Sequence, residues 1–184
     1  MQLKWTAVAL AAITLVACGK KEEAAAPAAA PAPTAAAPAA APAPAPAGDT
    51  LVVKIGHVAP TSGPIAHLGK DNEMGAKMAI EDLNAKGIKI GDKTAKFELV
   101  AEDDAGDPKQ GTAVAQKLVD EKVNGVVGHL NSGTTIPASK LYSDAGIPQI
   151  SPSATNPKYT RQGFKTTFRV VADDTQLGGT LGKY

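Results

Sequence analysis

The sequence has few of the residues that staple small proteins, hold metals or grip nucleic acid. One cysteine in 184 residues excludes a disulfide within the chain. The three histidines, His57, His67 and His129, are scattered, which argues against a zinc site, and no cofactor is expected. Charge of one sign is also missing. Three of the 19 basic and two of the 18 acidic residues precede Asp49, leaving 16 of each in the remainder. A neutral segment whose only arginines are Arg161 and Arg169 exerts little pull on a phosphate backbone, so no nucleic-acid partner is expected. Enzyme signatures are absent as well: there is no GxSxG, no GxxxxGK[ST], no GxGxxG after the first strand and no HExxH. His129 and Ser132 could form a nucleophile pair, but they lie three residues apart with no acid evidently placed to orient the histidine. Catalysis is not expected.

The N-terminus is informative. Lys4 precedes an uninterrupted apolar stretch, residues 5–17, in which only threonine is polar. Thirteen residues are too few to span a bilayer, which needs about 20. They suit the core of a secretory signal, so residues 1–17 are expected to be a signal peptide. Leu15-Val16-Ala17-Cys18 resembles the lipobox of bacterial lipoproteins, and the chain's only thiol stands at the position that lipidation requires. Acylation of Cys18 would give the two or more chains that stable membrane anchoring takes. From Ala24 to Ala47 the chain holds 16 Ala, 7 Pro and one Thr. Proline at that density removes helix hydrogen bonds, leaving an extended polyproline-like tether of up to ~75 Å. Residues 18–48 are therefore expected to hold an exported, periplasmic or cell-surface protein off its membrane.

Beyond residue 48, strand and helix patterns alternate. Residues 51–57 (LVVKIGH) read as a buried strand and 59–63 as a loop. A helix follows over 64–85, carrying the i,i+4 pairs Met74/Met78 and Ala79/Leu83 with Ile80 between, and Gly87 as its stop. A second strand is expected at 97–101. Asp107-Pro108-Lys109-Gln110 supplies an N-cap, a proline at the first helical position and a glutamine three after the cap, opening a helix to about Glu121. Strands at 123–130, 147–151 and 166–171 follow, with a polar loop at 131–135 feeding a helix that ends near Ala145. Asp173-Asp174-Thr175-Gln176 opens a last helix. This alternation predicts a doubly wound α/β fold with a parallel sheet and helices on both faces.

In such sheets ligands bind beyond the carboxyl ends of the strands. Leu130–Thr135 (LNSGTT) places hydroxyls and a glycine where a strand gives way to a helix, suiting either an anion or simple helix capping. Ser151–Thr155 (SPSAT) is a second hydroxyl-rich loop, and the two together could hold a zwitterion. The acidic cluster Glu102-Asp103-Asp104 with Asp107 lacks the spacing of a calcium loop and reads as solvated or turn-forming carboxylates.

These loops carry an ordered pattern: Ser62-Gly63-Pro64-Ile65-Ala66, Gly75-Ala76 with Asp82-Leu83-Asn84, Asp103-Asp104 with Asp107-Pro108-Lys109-Gln110, Gly128-His129-Leu130, and Ile150-Ser151-Pro152 with Ala154-Thr155-Asn156-Pro157. The pattern resembles the leucine/isoleucine/valine-binding and leucine-specific type I periplasmic receptors of ABC transporters. The resemblance implies that Ser132 bonds a ligand carboxylate through its hydroxyl and backbone N–H. It implies that Thr155 contacts the carboxylate and ammonium ends, that the Ser153 carbonyl accepts from the ammonium, and that Asn131 and Ala154 line the same wall. Leu68 stands where well-known members carry an aromatic over the ligand side chain, and Gly106 and Asn131 stand where some have a disulfide pair. On this resemblance, residues 49–172 form the N-terminal lobe and 173–184 begin the crossover to a second lobe that the chain lacks. The implied function is delivery of an amino acid, aliphatic or branched-chain, to a membrane ABC permease. An amino-acid or amide sensor of the same fold, or a non-binding fragment, is the alternative.

Overall fold

The computed structural model describes residues 50–184; the expected signal peptide, Cys18 and the Ala/Pro tract lie outside the described residues. Six strands and four helices alternate: β1 (Thr50–Ala59), α1 (Ala66–Ala85), β2 (Lys89–Ile90), β3 (Lys93–Asp103), α2 (Pro108–Asp120), β4 (Gly125–Gly128), α3 (Ser132–Asp144), β5 (Gln149–Ser151), β6 (Thr167–Arg169) and α4 (Asp174–Leu181). The sheet runs in the order β2-β3-β1-β4-β5-β6, parallel except for the β2–β3 hairpin. β1 pairs with β3 along its whole length, from Thr50 opposite Thr94 to Ala59 opposite Asp103. That pairing carries β3 well past the expected 97–101. β2 was not expected. It is two residues long and closed through Gly91 at φ 63°, so only the Gly91-Asp92 turn signalled it.

Alternation along β1 and β4 sends successive side chains to opposite faces. Val58 and Val126 face α2 and α3, where Val114, Ala115, Leu118, Ala138 and Tyr142 complete a buried core. Gly56 points the same way, and a Cβ there would come within 2.8 Å of Leu118 Cδ1. Ile55 and Val127 face the other side, beneath α1. α1 crosses close over the β1–α1 loop: a Cβ on Gly69 would lie 2.0 Å from the Pro60 carbonyl oxygen. Its Met74 and Met78 are 58% and 59% exposed, so they do not belong to the inward stripe. At 100° per residue Met74 sits opposite Leu83, and the groove side is formed instead by Ala76, Ala79, Ile80 and Leu83.

Both helix caps read from sequence are present. Asp107 accepts from the Lys109 and Gln110 N–H groups, and Asp173 and Gln176 form a reciprocal capping box. The stretch 131–135 differs from its reading as a loop. α3 starts at Ser132, because the Thr134 and Thr135 N–H groups both reach the Asn131 carbonyl, and Pro137 is tolerated inside the helix. From β1 the chain crosses one way to β3, and from β4 the other way to β5. The ends of β1 and β4 thus flank a topological switch point, where a crevice opens.

Candidate functional site at the carboxyl edge of the sheet

Side chains stitch the strand-end loops together in order. Asp103 Oδ1 accepts from the Thr61 N–H at 2.9 Å and the Ala105 N–H at 2.8 Å, tying the β1 loop to the β3 loop. Asp104 Oδ2 meets His129 Nδ1 at 2.9 Å, tying the β3 loop to the end of β4. The Ser151 hydroxyl donates to the His129 carbonyl at 2.8 Å, and the Ser153 hydroxyl to the Leu130 carbonyl at 2.7 Å, tying β4 to β5. The Asn156 N–H donates to Ser132 Oγ at 3.2 Å. Loops distant in sequence become one surface.

The acidic cluster forms turns as expected, with Asp103 and Asp104 accepting from the N–H groups two residues on, but Asp104 departs from the solvated half of that reading. It is fully buried rather than solvated. Burial opposes its charge, but the His129 ring N–H and the Gly106 backbone N–H outweigh this and hold its carboxyl below the usual range. Burial pushes His129 below its ordinary value, so the ring is neutral with its proton on Nδ1 toward Asp104. The Tyr142 hydroxyl then donates to Nε2 at 3.2 Å. An acid does orient His129, which sequence reasoning did not see. Its other nitrogen is nevertheless occupied by Tyr142 rather than by Ser132, and all three side chains are sealed from solvent. The triad is a buried scaffold beneath the loop.

Ser132 is the first residue of α3, not its cap. Asn131 holds the cap position without a side-chain capping bond, and its Oδ1 is buried with no partner among the described residues. The Ser132 hydroxyl accepts from Asn156 and keeps its own proton to donate. The first N–H groups of α3 have no partner within the helix, and its dipole adds partial positive charge there. Thr155 is half-buried beside this point; its carbonyl accepts from the Asp174 N–H at 2.9 Å. Ala154 is 1% exposed as a whole residue, with its N–H on Ser151 Oγ and its carbonyl on Arg169, so it supports the wall from behind. A cavity of about 750 Å³ lies under α1, lined by Leu68 on α1, by Leu130, Pro152 and Ser153 on the strand-end loops and by Ile55, Phe97, Leu99 and Val127 on the sheet. Leu68 and Ser153 thus meet in one cavity, whereas Ser132, Thr155, Asn131 and Ala154 stand outside its lining. A Cβ on Gly106 would lie 4.0 Å from Asn131 Oδ1, so positions 106 and 131 are neighbours in space.

Residues 52–184 match the sequence profile of the family described as periplasmic binding protein. The chain belongs to that family. Among similar proteins, the Leu/Ile/Val-binding protein homolog 1 of Brucella abortus (strain 2308) is 46% identical over 132 residues, covering 72% of this chain and 35% of the relative. The leucine-specific-binding protein of Salmonella typhimurium shows the same identity and coverage, and the Leu/Ile/Val-binding protein of Escherichia coli K12 is 43% identical. A solved ABC transporter substrate-binding protein from Desulfitobacterium hafniense, in complex with Leu, superposes with a TM-score of 0.64 at 31% identity, over 73% of this chain and 38% of that one. The branched-chain amino acid transporter substrate-binding protein of Streptococcus pneumoniae, in complex with isoleucine, gives 0.62 at 34%, over 68% and 35%. The chain therefore spans about a third of the length of these relatives. The doubly wound lobe matches the fold of these solved substrate-binding proteins.

Proposed function

We propose that this chain belongs to the lipid-anchored, extracytoplasmic substrate-binding component of an ABC transporter, which captures an aliphatic amino acid and delivers it to a membrane permease. The observation that carries this reading is the hydrogen bond from Asn156 N–H to Ser132 Oγ. It gathers a hydroxyl, the open N–H groups of a helix start and the Thr155 peptide at one point. Such a cluster suits a carboxylate, for which each charge-assisted bond is short and strong. The Ser153 carbonyl would accept from the ammonium. Leu68, Leu130 and Pro152 offer an apolar wall to a branched side chain. Names of relatives that bind leucine, isoleucine and valine support the same ligand class. The expected signal segment and lipobox-like Cys18 support export and a lipid anchor.

The test is calorimetric titration of the full-length polypeptide with leucine. Ser132→Ala or Thr155→Ala should weaken binding by about 1–3 kcal/mol, roughly 5- to 150-fold. Wild-type affinity in both variants would sink the site assignment. In the same preparations Cys18→Ser should release the protein from the membrane fraction, and retention there would remove the anchor.

A further inference from the structure

All three carbonyls around Thr155 are engaged. Arg169, at the end of β6, donates through Nη1 to the Ala154 carbonyl at 2.9 Å and through Nη2 to the Asn156 carbonyl at 3.1 Å. The Thr155 carbonyl between them accepts from the Asp174 N–H at the start of α4. The guanidinium is itself fixed. Nη2 also donates to the Thr160 hydroxyl at 2.8 Å, and the guanidinium carbon lies 5.6 Å from the centroid of the buried Tyr159 ring. Tyr159 is anchored in turn by donating its hydroxyl to the Gln149 carbonyl at 3.1 Å.

Peptide planarity turns this clamp into a statement about the N–H groups. In a trans peptide the carbonyl of one residue and the N–H of the next point in opposite directions. Drawing the Thr155 carbonyl toward Asp174 therefore aims the Asn156 N–H the other way, and it is indeed found on Ser132 Oγ. By the same rule, drawing the Ala154 carbonyl toward Arg169 aims the Thr155 N–H away from β6. Unlike its neighbours on Ala154 and Asn156, which bond Ser151 Oγ and Ser132 Oγ, the Thr155 N–H meets no acceptor among the described residues.

We propose that Arg169 is a positioning residue for the ligand: by clamping the Ala154 and Asn156 carbonyls, it presents the Thr155 N–H as a donor to an amino-acid carboxylate. A planar fork is what this task needs, since two acceptors must be held at fixed separation. A lysine ammonium is a single point charge that can keep the cation near Tyr159 without fixing both carbonyls. The inference rests on the binding reading above.

The test compares leucine with leucinamide, which has the same side chain and ammonium but no carboxylate, on the full-length polypeptide. The wild type should prefer leucine. Arg169→Lys and Arg169→Met should bind leucine at least tenfold more weakly while leucinamide affinity changes little, so that the preference collapses. A purely structural role would weaken both ligands alike, and equal losses or unchanged affinities would overturn the proposal. A second measurement needs no variant: the Thr155 amide resonance of the wild type should move on saturation with leucine and not with leucinamide. An amide that ignores leucine would overturn the proposal even if neither variant folds. If the wild type binds no amino acid, the binding reading fails instead. If the wild type binds and Ser132→Ala weakens it while the Arg169 variants keep the preference, the clamp alone fails.

Discussion

Acidification should destabilise this lobe well before its carboxylates titrate, because two imidazoles are held neutral inside it. His57 and His129 are both fully buried, and burial pushes both rings below the ordinary value of 6.5. Around His57 burial dominates; Glu73 on α1 and the Val127 backbone favour the charged form, while His129 just past β4 and Lys77 on α1 oppose it, and the net shift is downward. Around His129 the Asp104 carboxylate favours protonation but does not overcome burial. The sign follows. Below pH 6.5 the unfolded chain takes up protons that the folded lobe refuses, so stability falls as pH falls. A ring that stayed neutral throughout would lose one tenfold factor between pH 7.5 and 5.5, about 1.4 kcal/mol, so two such rings set an upper limit of roughly 2.7 kcal/mol. That is a large share of a domain stability of about 5–15 kcal/mol. The carboxyls of Asp103, Asp104, Glu98 and Asp173 are held below their usual values, so their contributions are lost only at lower pH, outside this window. Urea unfolding at constant ionic strength at pH 7.5, 6.5 and 5.5 measures the slope. His57→Val should make it shallower, whatever it does to stability at pH 7.5. A flat profile, or a slope indifferent to His57→Val, would refute the argument.

The remaining predictions concern packing and caps. Gly69→Ala places a methyl 2.0 Å from a backbone oxygen that cannot swing aside, so it should cost about 3 kcal/mol or more in urea titrations, and a loss under 1 kcal/mol would contradict the close approach of α1. Gly75→Ala on the same helix meets nothing within 4 Å and should stabilise by about 0.5–1 kcal/mol, which makes it the matched control. Asp107→Ala removes the acceptor for the Lys109 and Gln110 N–H groups and should cost about 0.5–2 kcal/mol, read from the same unfolding curves. An unchanged midpoint would mean that the α2 cap contributes nothing to stability.

Local chemistry was legible in the sequence. Asp107-Pro108 and Asp173-Gln176 wrote their own helix starts, because capping depends on residues three apart in the chain. Strand–helix alternation gave the doubly wound lobe, and the ordered loop motifs gave the family, since both are linear patterns. Ser132 and the Thr155 loop could be named from those motifs, but not shown to touch.

Tertiary structure decided what depends on residues far apart in the chain. No linear signal told that Asp104 is sealed while Asp103 beside it turns outward to the Thr61 N–H, because the difference lies in which neighbour the strand end meets. The Met74/Met78 pair had the right spacing for a buried stripe yet faces solvent, since the face that α1 buries is set by the sheet beneath it. Arg169 drew no attention as one of two arginines. Its role exists only because β6 lies beside β5 and brings a guanidinium against two carbonyls whose order in sequence says nothing of their direction. Periodicity and capping are short-range and survive in a string of letters, whereas burial and the aim of a peptide plane are set by partners the chain meets only when folded.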